Sequence, residues 1–199
     1  YRLNRYTEQF EDVVSLIDGV DSKHYRMTHC LHDSNGGTWV AIAGLGVARF
    51  TDAADASSVR VDAFFDAPVL GGDVAAMYVD DCDGVWIGAD DGQLNYIAAG
   101  TAAARTLCET AAPAFAFTVD AESVYCATPG EVIRVGKQDG RVDRLPGGAA
   151  PLTALVADTV RRTVYAGSRS GELFRVSGDR LARLDPKGVR PHRIRNLAA

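Results

Sequence analysis

The chain has 199 residues, 47% of them apolar and 24% charged, a composition that can build a substantial core and excludes intrinsic disorder. A net charge of −5 argues against a protein whose main task is to hold phosphate backbones, so no nucleic-acid partner is expected. No apolar run reaches the roughly 18–20 residues of a membrane span and no signal peptide is visible, so this segment is not expected to insert into a membrane; opening on Tyr1, it reads as a processed, excised or truncated piece.

The first element is the strand "RLNRY" at 2–6, followed by a second short strand in "FEDVVSLI" at 10–17. The apolar stretch "RMTHCLHD" then leads through a Gly turn into the hairpin "GTWVAIAGLGVARF" at 37–50, and "SVRVDAFF" at 58–65 follows it. The same order returns with "VAAMYVDD", the hairpin "GVWIGADDGQLNYI" at 84–97 and "ARTLC". It returns again with "FAFTVDA", "SVYCATPGEVIRV" and "GRVDRL", and once more with "LTALVAD", "TVYAGSRSGELFRV" and "DRLARL". The unfinished "RIRNLAA" closes the chain. Trp39, Trp86, Tyr125 and Tyr165 hold one place in the four hairpins, 39 to 47 residues apart, a period that signals a propeller, solenoid or array.

Each unit offers four short alternating strands and no convincing amphipathic helix. In "LFRVSGDRLARL", Leu173, Arg175 and Ser177 fall on one face, and Phe174 and Val176 on the other. Four antiparallel strands repeated radially make a propeller blade, and an aromatic at a fixed place fills the recurring gap between neighbouring sheets. The expectation is an all-β fold, a single β-propeller domain over residues 1–199 with about five blade-equivalents. Two arrangements fit. One is a ring closed by pairing the terminal strands. The other is an arc of a larger ring, favoured because the chain is cut inside a repeat.

The hairpins "DSNGGTWVAIAGLGVARF" and "DCDGVWIGADDGQLNYI", with "RLNRYTEQF" at the start, resemble the two-component-regulator propeller repeat, whose pattern runs Asp-x-x-Gly-x-Leu-Trp-Ile-Gly-Thr, a Gly turn, then Gly-Leu-x-Arg-Tyr. The resemblance spans the chain, with Tyr in place of Trp in the last two hairpins. It implies a sensory, ligand-binding module of a bacterial signalling receptor, periplasmic or extracellular. The implied partners are a small ligand such as an oligosaccharide and the remaining receptor domains or blades. No Trp-Asp dipeptide closes the strands, which makes the WD40 reading poorer.

Metal and cofactor motifs fail on position. In "DDCDG" an EF-hand register puts Val79 at the first ligand position, and in "DSNG" it puts Leu31 there, so both read as turns in which Asp and Asn bond their own backbone. In "HCLH" Cys30 and His32 share a strand face while His29 points away. "GLGVAR" lacks the third glycine of a dinucleotide fingerprint, and "GSRSG" has Arg169 where a nucleophile elbow needs serine. Cys30, Cys82, Cys108 and Cys126 follow no metal spacing and are expected to be unpaired; Cys30, Cys108 and Cys126 fall in strands, where a free cysteine is a small hydrophobic filler, and Cys82 in a turn. No cofactor and no metal are expected.

There remains the mouth of the central channel, where blade-opening and hairpin loops meet. "KHYR" and "PHR" each precede an innermost strand, so Lys23, His24, Tyr25, Arg26, His192 and Arg193 are the candidate ligand-binding residues. Histidine, arginine and an aromatic hold a sugar or carboxylate by hydrogen bonds and stacking. A propeller lyase or lactonase would need converging acid–base groups at that mouth, for which only His24 and His192 are placed. A protein-interaction scaffold is the third reading.

Overall fold

The computed structural model describes residues 2–4, 9–52, 58–158 and 160–185. Strands β1 (Arg2–Asn4) and β2 (Gln9–Glu11) form a two-stranded sheet. Blade 1 comprises β3 (Met27–His32), β4 (Thr38–Ile42), β5 (Gly46–Asp52) and β6 (Val59–Asp66). A one-turn helix, α1 (Ala67–Leu70), leads into blade 2, made of β7 (Val74–Val79), β8 (Val85–Ala89), β9 (Gln93–Ile97) and β10 (Ala104–Glu109). Blade 3 is β11 (Ala116–Val119), β12 (Ser123–Ala127), β13 (Glu131–Gly136) and β14 (Val142–Pro146). Blade 4 is β15 (Leu152–Asp158), β16 (Thr163–Ser168), β17 (Leu173–Ser177) and β18 (Arg180–Leu184). Each blade is an antiparallel meander in chain order. The first strands β3, β7, β11 and β15 pack side by side in series, which is the β-propeller arrangement.

The alternation read in the strands decides what each face meets. Trp39 is buried with Val47, Phe65, Met77, Val85 and Ile87, so its ring lies between blades 1 and 2. Trp86 is buried with Leu94, Val124, Cys126 and Ile133, between blades 2 and 3. Tyr125 is buried with Leu145, Leu155, Val164 and Phe174, between blades 3 and 4. These three aromatics are 4%, 4% and 5% exposed, as a gap-filling role requires.

Two expectations are corrected. "FEDVVSLI" is not one strand: β2 ends at Glu11 and a 3-10 turn follows at Val14–Leu16. Its apolar residues serve another purpose, since Val13, Val14 and Ile17 cover Val40, Ile42, Ala48 and Phe50 on the outer face of blade 1. Cys30 is not a buried strand filler either. It is exposed on β3, at the place where the next two blades that bury a residue there have Met77 and Leu155. All four cysteines are free.

Candidate functional site

Strand connectivity gives the molecule two ends. At one end lie the loops that open each blade and the turns between second and third strands. At the other lie the turns that join first to second and third to fourth strands.

The repeat is explicit at the second end. Asp33, Asp80 and Asp120 each close a first strand, and one carboxylate oxygen accepts the backbone N–H groups of the turn that follows. Asp33 Oδ1 takes Asn35 at 3.1 Å and Gly37 at 2.7 Å; Asp80 Oδ1 takes Cys82 at 2.9 Å and Gly84 at 2.8 Å; Asp120 Oδ1 takes Glu122 at 2.9 Å and Ser123 at 2.8 Å. The other oxygen takes the aromatic: Trp39 Nε1 at 3.1 Å, Trp86 Nε1 at 2.8 Å and Tyr125 OH at 2.8 Å. A short carboxylate thus pins a turn and orients the ring packed between blades, leaving little of its hydrogen-bonding capacity for a ligand. Burial and the Asp120 carboxylate push the Tyr125 phenol up to about 12.

Cross-strand partners finish the pattern. Arg49, opposite Trp39, bonds Asp33 at 2.7 Å and pairs with Asp62. Arg134, opposite Tyr125, pairs with Asp143 at 2.7 Å and donates to the Gly178 carbonyl of blade 4 at 2.8 Å. Tyr96, opposite Trp86, sets its ring 4.6 Å from the indole. Two polar clefts open here. One, of about 400 Å³, is lined by Glu122, Tyr125, Arg134, Arg141 and Asp143. The other, of about 210 Å³, is lined by Asp81, Trp86, Tyr96, Arg105 and Lys137, with Lys137 pairing across the blades to Asp81 at 2.9 Å. The turn readings of "DSNG" and "DDCDG" hold in the geometry. Asp80, Asp81 and Cys82 do gather ligand atoms within 4.8 Å, but Asp80 is engaged by the turn and Trp86, and Asp81 by Lys137.

At the first end, blade-opening loops are latched to hairpin turns. The Ala43 N–H donates to the Arg26 carbonyl at 2.9 Å, Asp90 to Asp73 at 2.8 Å, Leu152 to Pro129 at 3.0 Å and Arg169 to Pro151 at 2.8 Å. Asp73 of blade 2 also accepts from Gly44 of blade 1 at 2.6 Å. Lys23, His24, Tyr25 and Arg26 sit here, just before β3, and all four are exposed. His24 Nδ1 lies 3.2 Å from Asp21. The other two candidates, His192 and Arg193, lie outside the described residues. In "HCLH" the strand splits as expected, with Cys30 and His32 exposed and His29 half-buried; burial lowers the affinity of His29 for a proton.

What sequence reading missed is the clasp and the clefts beside it. The signal was present, because an Asp stands five to seven residues before each repeated aromatic. A turn-forming Asp and a clasping Asp look alike until the ring is seen to fold back onto it.

No protein-family model matches the sequence, and no curated protein matches it. Among solved structures, the computationally designed Ika8 protein is 15% identical with a TM-score of 0.69, over 87% of this chain and 52% of that one. The extracellular domain of BT4673 from B. thetaiotaomicron, described as a hybrid two component system, is 13% identical with a TM-score of 0.62, over 85% of this chain and 24% of that one. The WD40 repeats of RRP9 are 10% identical with a TM-score of 0.61, over 80% and 53%. At these identities the likeness is one of fold, and this chain spans about half or less of each of those proteins.

Proposed function

We propose that the chain is a non-catalytic, ligand-binding β-propeller module that serves as the sensory part of a larger signalling receptor outside the cytoplasm. The observation that carries this reading is the different use of polar groups at the two ends. At the turn end the carboxylates are engaged by backbone, aromatic and cationic partners that the fold itself supplies. At the loop end Lys23, Tyr25 and Arg26 are exposed, and among the described residues their side chains have no hydrogen-bond or ion-pair partner. Cations with an adjacent aromatic suit an acidic or neutral oligosaccharide, held by charge-assisted bonds and stacking. His24, His192 and Arg193 belong to the same proposal. The fold shared with the extracellular domain of a two component system is in keeping with it, and among the described residues no helix is long and apolar enough to cross a membrane.

Calorimetric titration with acidic and neutral oligosaccharides tests the reading. Arg26→Ala should weaken an acidic ligand by roughly tenfold or more, the loss of one hydrogen bond to a charged group. Turnover of a lactone or uronic-acid substrate, abolished by His24→Ala, would replace the sensor with an enzyme.

A further inference from the structure

Three of the four blades bury, beneath the next blade, the aromatic at the centre of the same row of side chains, and the fourth does not. The rows are set by strand register: Leu31–Trp39–Arg49 in blade 1, Tyr78–Trp86–Tyr96 in blade 2, Thr118–Tyr125–Arg134 in blade 3 and Val156–Tyr165–Arg175 in blade 4. The first three aromatics are buried, whereas Tyr165 is only half-buried and Arg175 is exposed. Leu173 and Leu184, paired in register on the same face, are half-covered too. The clasp is also undone. Asp158 keeps its turn bond to the Arg161 N–H at 2.9 Å, but its second oxygen takes the Arg161 guanidinium at 2.8 Å instead of the ring.

We infer that this face of blade 4 is an interface for a further four-stranded blade of the same repeat, so that the four blades form an arc of a larger ring. The inference rests on the propeller architecture and not on the sensory reading. Continuity identifies the occupant. Across the preceding interface, blade 4 covers Tyr125 with Leu155, Val164 and Phe174, and offers the Gly178 carbonyl to Arg134. Tyr165 and Arg175 repeat Tyr125 and Arg134, and among the described residues Arg175 has no hydrogen-bond or ion-pair partner. The partner surface they fit is therefore an aliphatic blade face with a turn carbonyl at its edge. A second copy docking head to tail does not fit, because the complementary face of blade 1 lies under Val13, Val14 and Ile17. Stacked repeats bury a continuous core only where each has a neighbour, and the half-covered Tyr165, Leu173 and Leu184 are an end face that another unit would bury.

The experiment compares the full chain with one extended beyond Asp185 by a second copy of residues 147–185, using hydroxyl-radical footprinting read residue by residue, amide exchange and light scattering. In the full chain, expected to be a monomer, Tyr165 should oxidise several times faster than Tyr125. In the extended chain it should fall to the rate of Tyr125, with the added strands protected from exchange. Arg175→Glu should leave the full chain's urea midpoint unchanged and lower that of the extended chain. Protection of Tyr165 already present in the monomeric full chain would assign the face to the chain's own residues and overturn the inference. A dimer that protects it would assign it to a second copy, with the same result. An added blade that stays unprotected, or folds without shielding Tyr165, overturns it as well.

Discussion

Replacing Trp86 tests the blade-to-blade argument at its best-defined point. The indole is 4% exposed, packs against Val124, Cys126 and Ile133 of blade 3, and donates to Asp80 at 2.8 Å. A side chain of this size removes roughly 150–250 Å² from water, which at roughly 25 cal/mol/Å² is about 4–6 kcal/mol. The alanine methyl group retains part of that, and large-to-alanine changes in cores cost about 3–5 kcal/mol. Trp86→Ala should therefore lower the urea midpoint by roughly 1–2.5 M, taking a slope of about 2–3 kcal/mol/M. Trp86→Phe keeps most of the contact but leaves the largely buried Asp80 without its ring partner, and should cost about 1–3 kcal/mol. The measurement is urea unfolding followed by circular dichroism, with the slopes compared to check that the unfolded state is unchanged. A loss below about 1 kcal/mol for Trp86→Ala is what surface residues give, and it would refute the placement of this ring between blades.

Tyr125→Ala should destabilise the chain by about 3–5 kcal/mol, and Tyr165→Ala by clearly less, because only the first ring lies beneath a following blade; equal losses in urea unfolding would contradict this. Burial alone would raise the Asp33 carboxyl, but hydrogen bonds from Arg49, the Gly37 N–H and Trp39, together with the Arg49 charge, hold it below its ordinary value of 3.8. Its contribution is therefore complete above that value and lost as pH falls through the lower folded value. Stability should be level from about pH 7 to 5 and drop below about pH 4, with a shallower drop in Asp33→Asn; an unchanged acid slope in that variant would refute the assignment. Thermal melts with EDTA, calcium or zinc should coincide, since Asp80 and Asp81 are occupied by protein groups; a reproducible rise of several degrees with either ion would show a site in the Asp80–Cys82 turn.

The strands of the four blades, their order and the equivalence of Trp39, Trp86, Tyr125 and Tyr165 were legible in the amino-acid sequence. Alternation with period two and a repeat near forty are local properties, and a meander of neighbouring strands turns local order directly into sheet order. The exposed "KHYR" loop before β3 was legible for the same reason. Other features depended on which surfaces meet. Asp33, Asp80 and Asp120 read as turn residues, and only the packed ring shows that each also holds an aromatic. Val13, Val14 and Ile17 carry a strand-like apolar pattern yet form a 3-10 turn, because the face of blade 1 that they cover is presented by strands 23 or more residues further along. Cys30 and Met77 hold equivalent positions in strands of the same kind, and their exposure differs because Met77 packs against Trp39 of blade 1, whereas among the described residues no four-stranded blade lies against Cys30. The sequence determined each blade by itself, since neighbouring residues supply its hydrogen bonds; which faces are covered is set by burial between blades, and only the tertiary structure decides that.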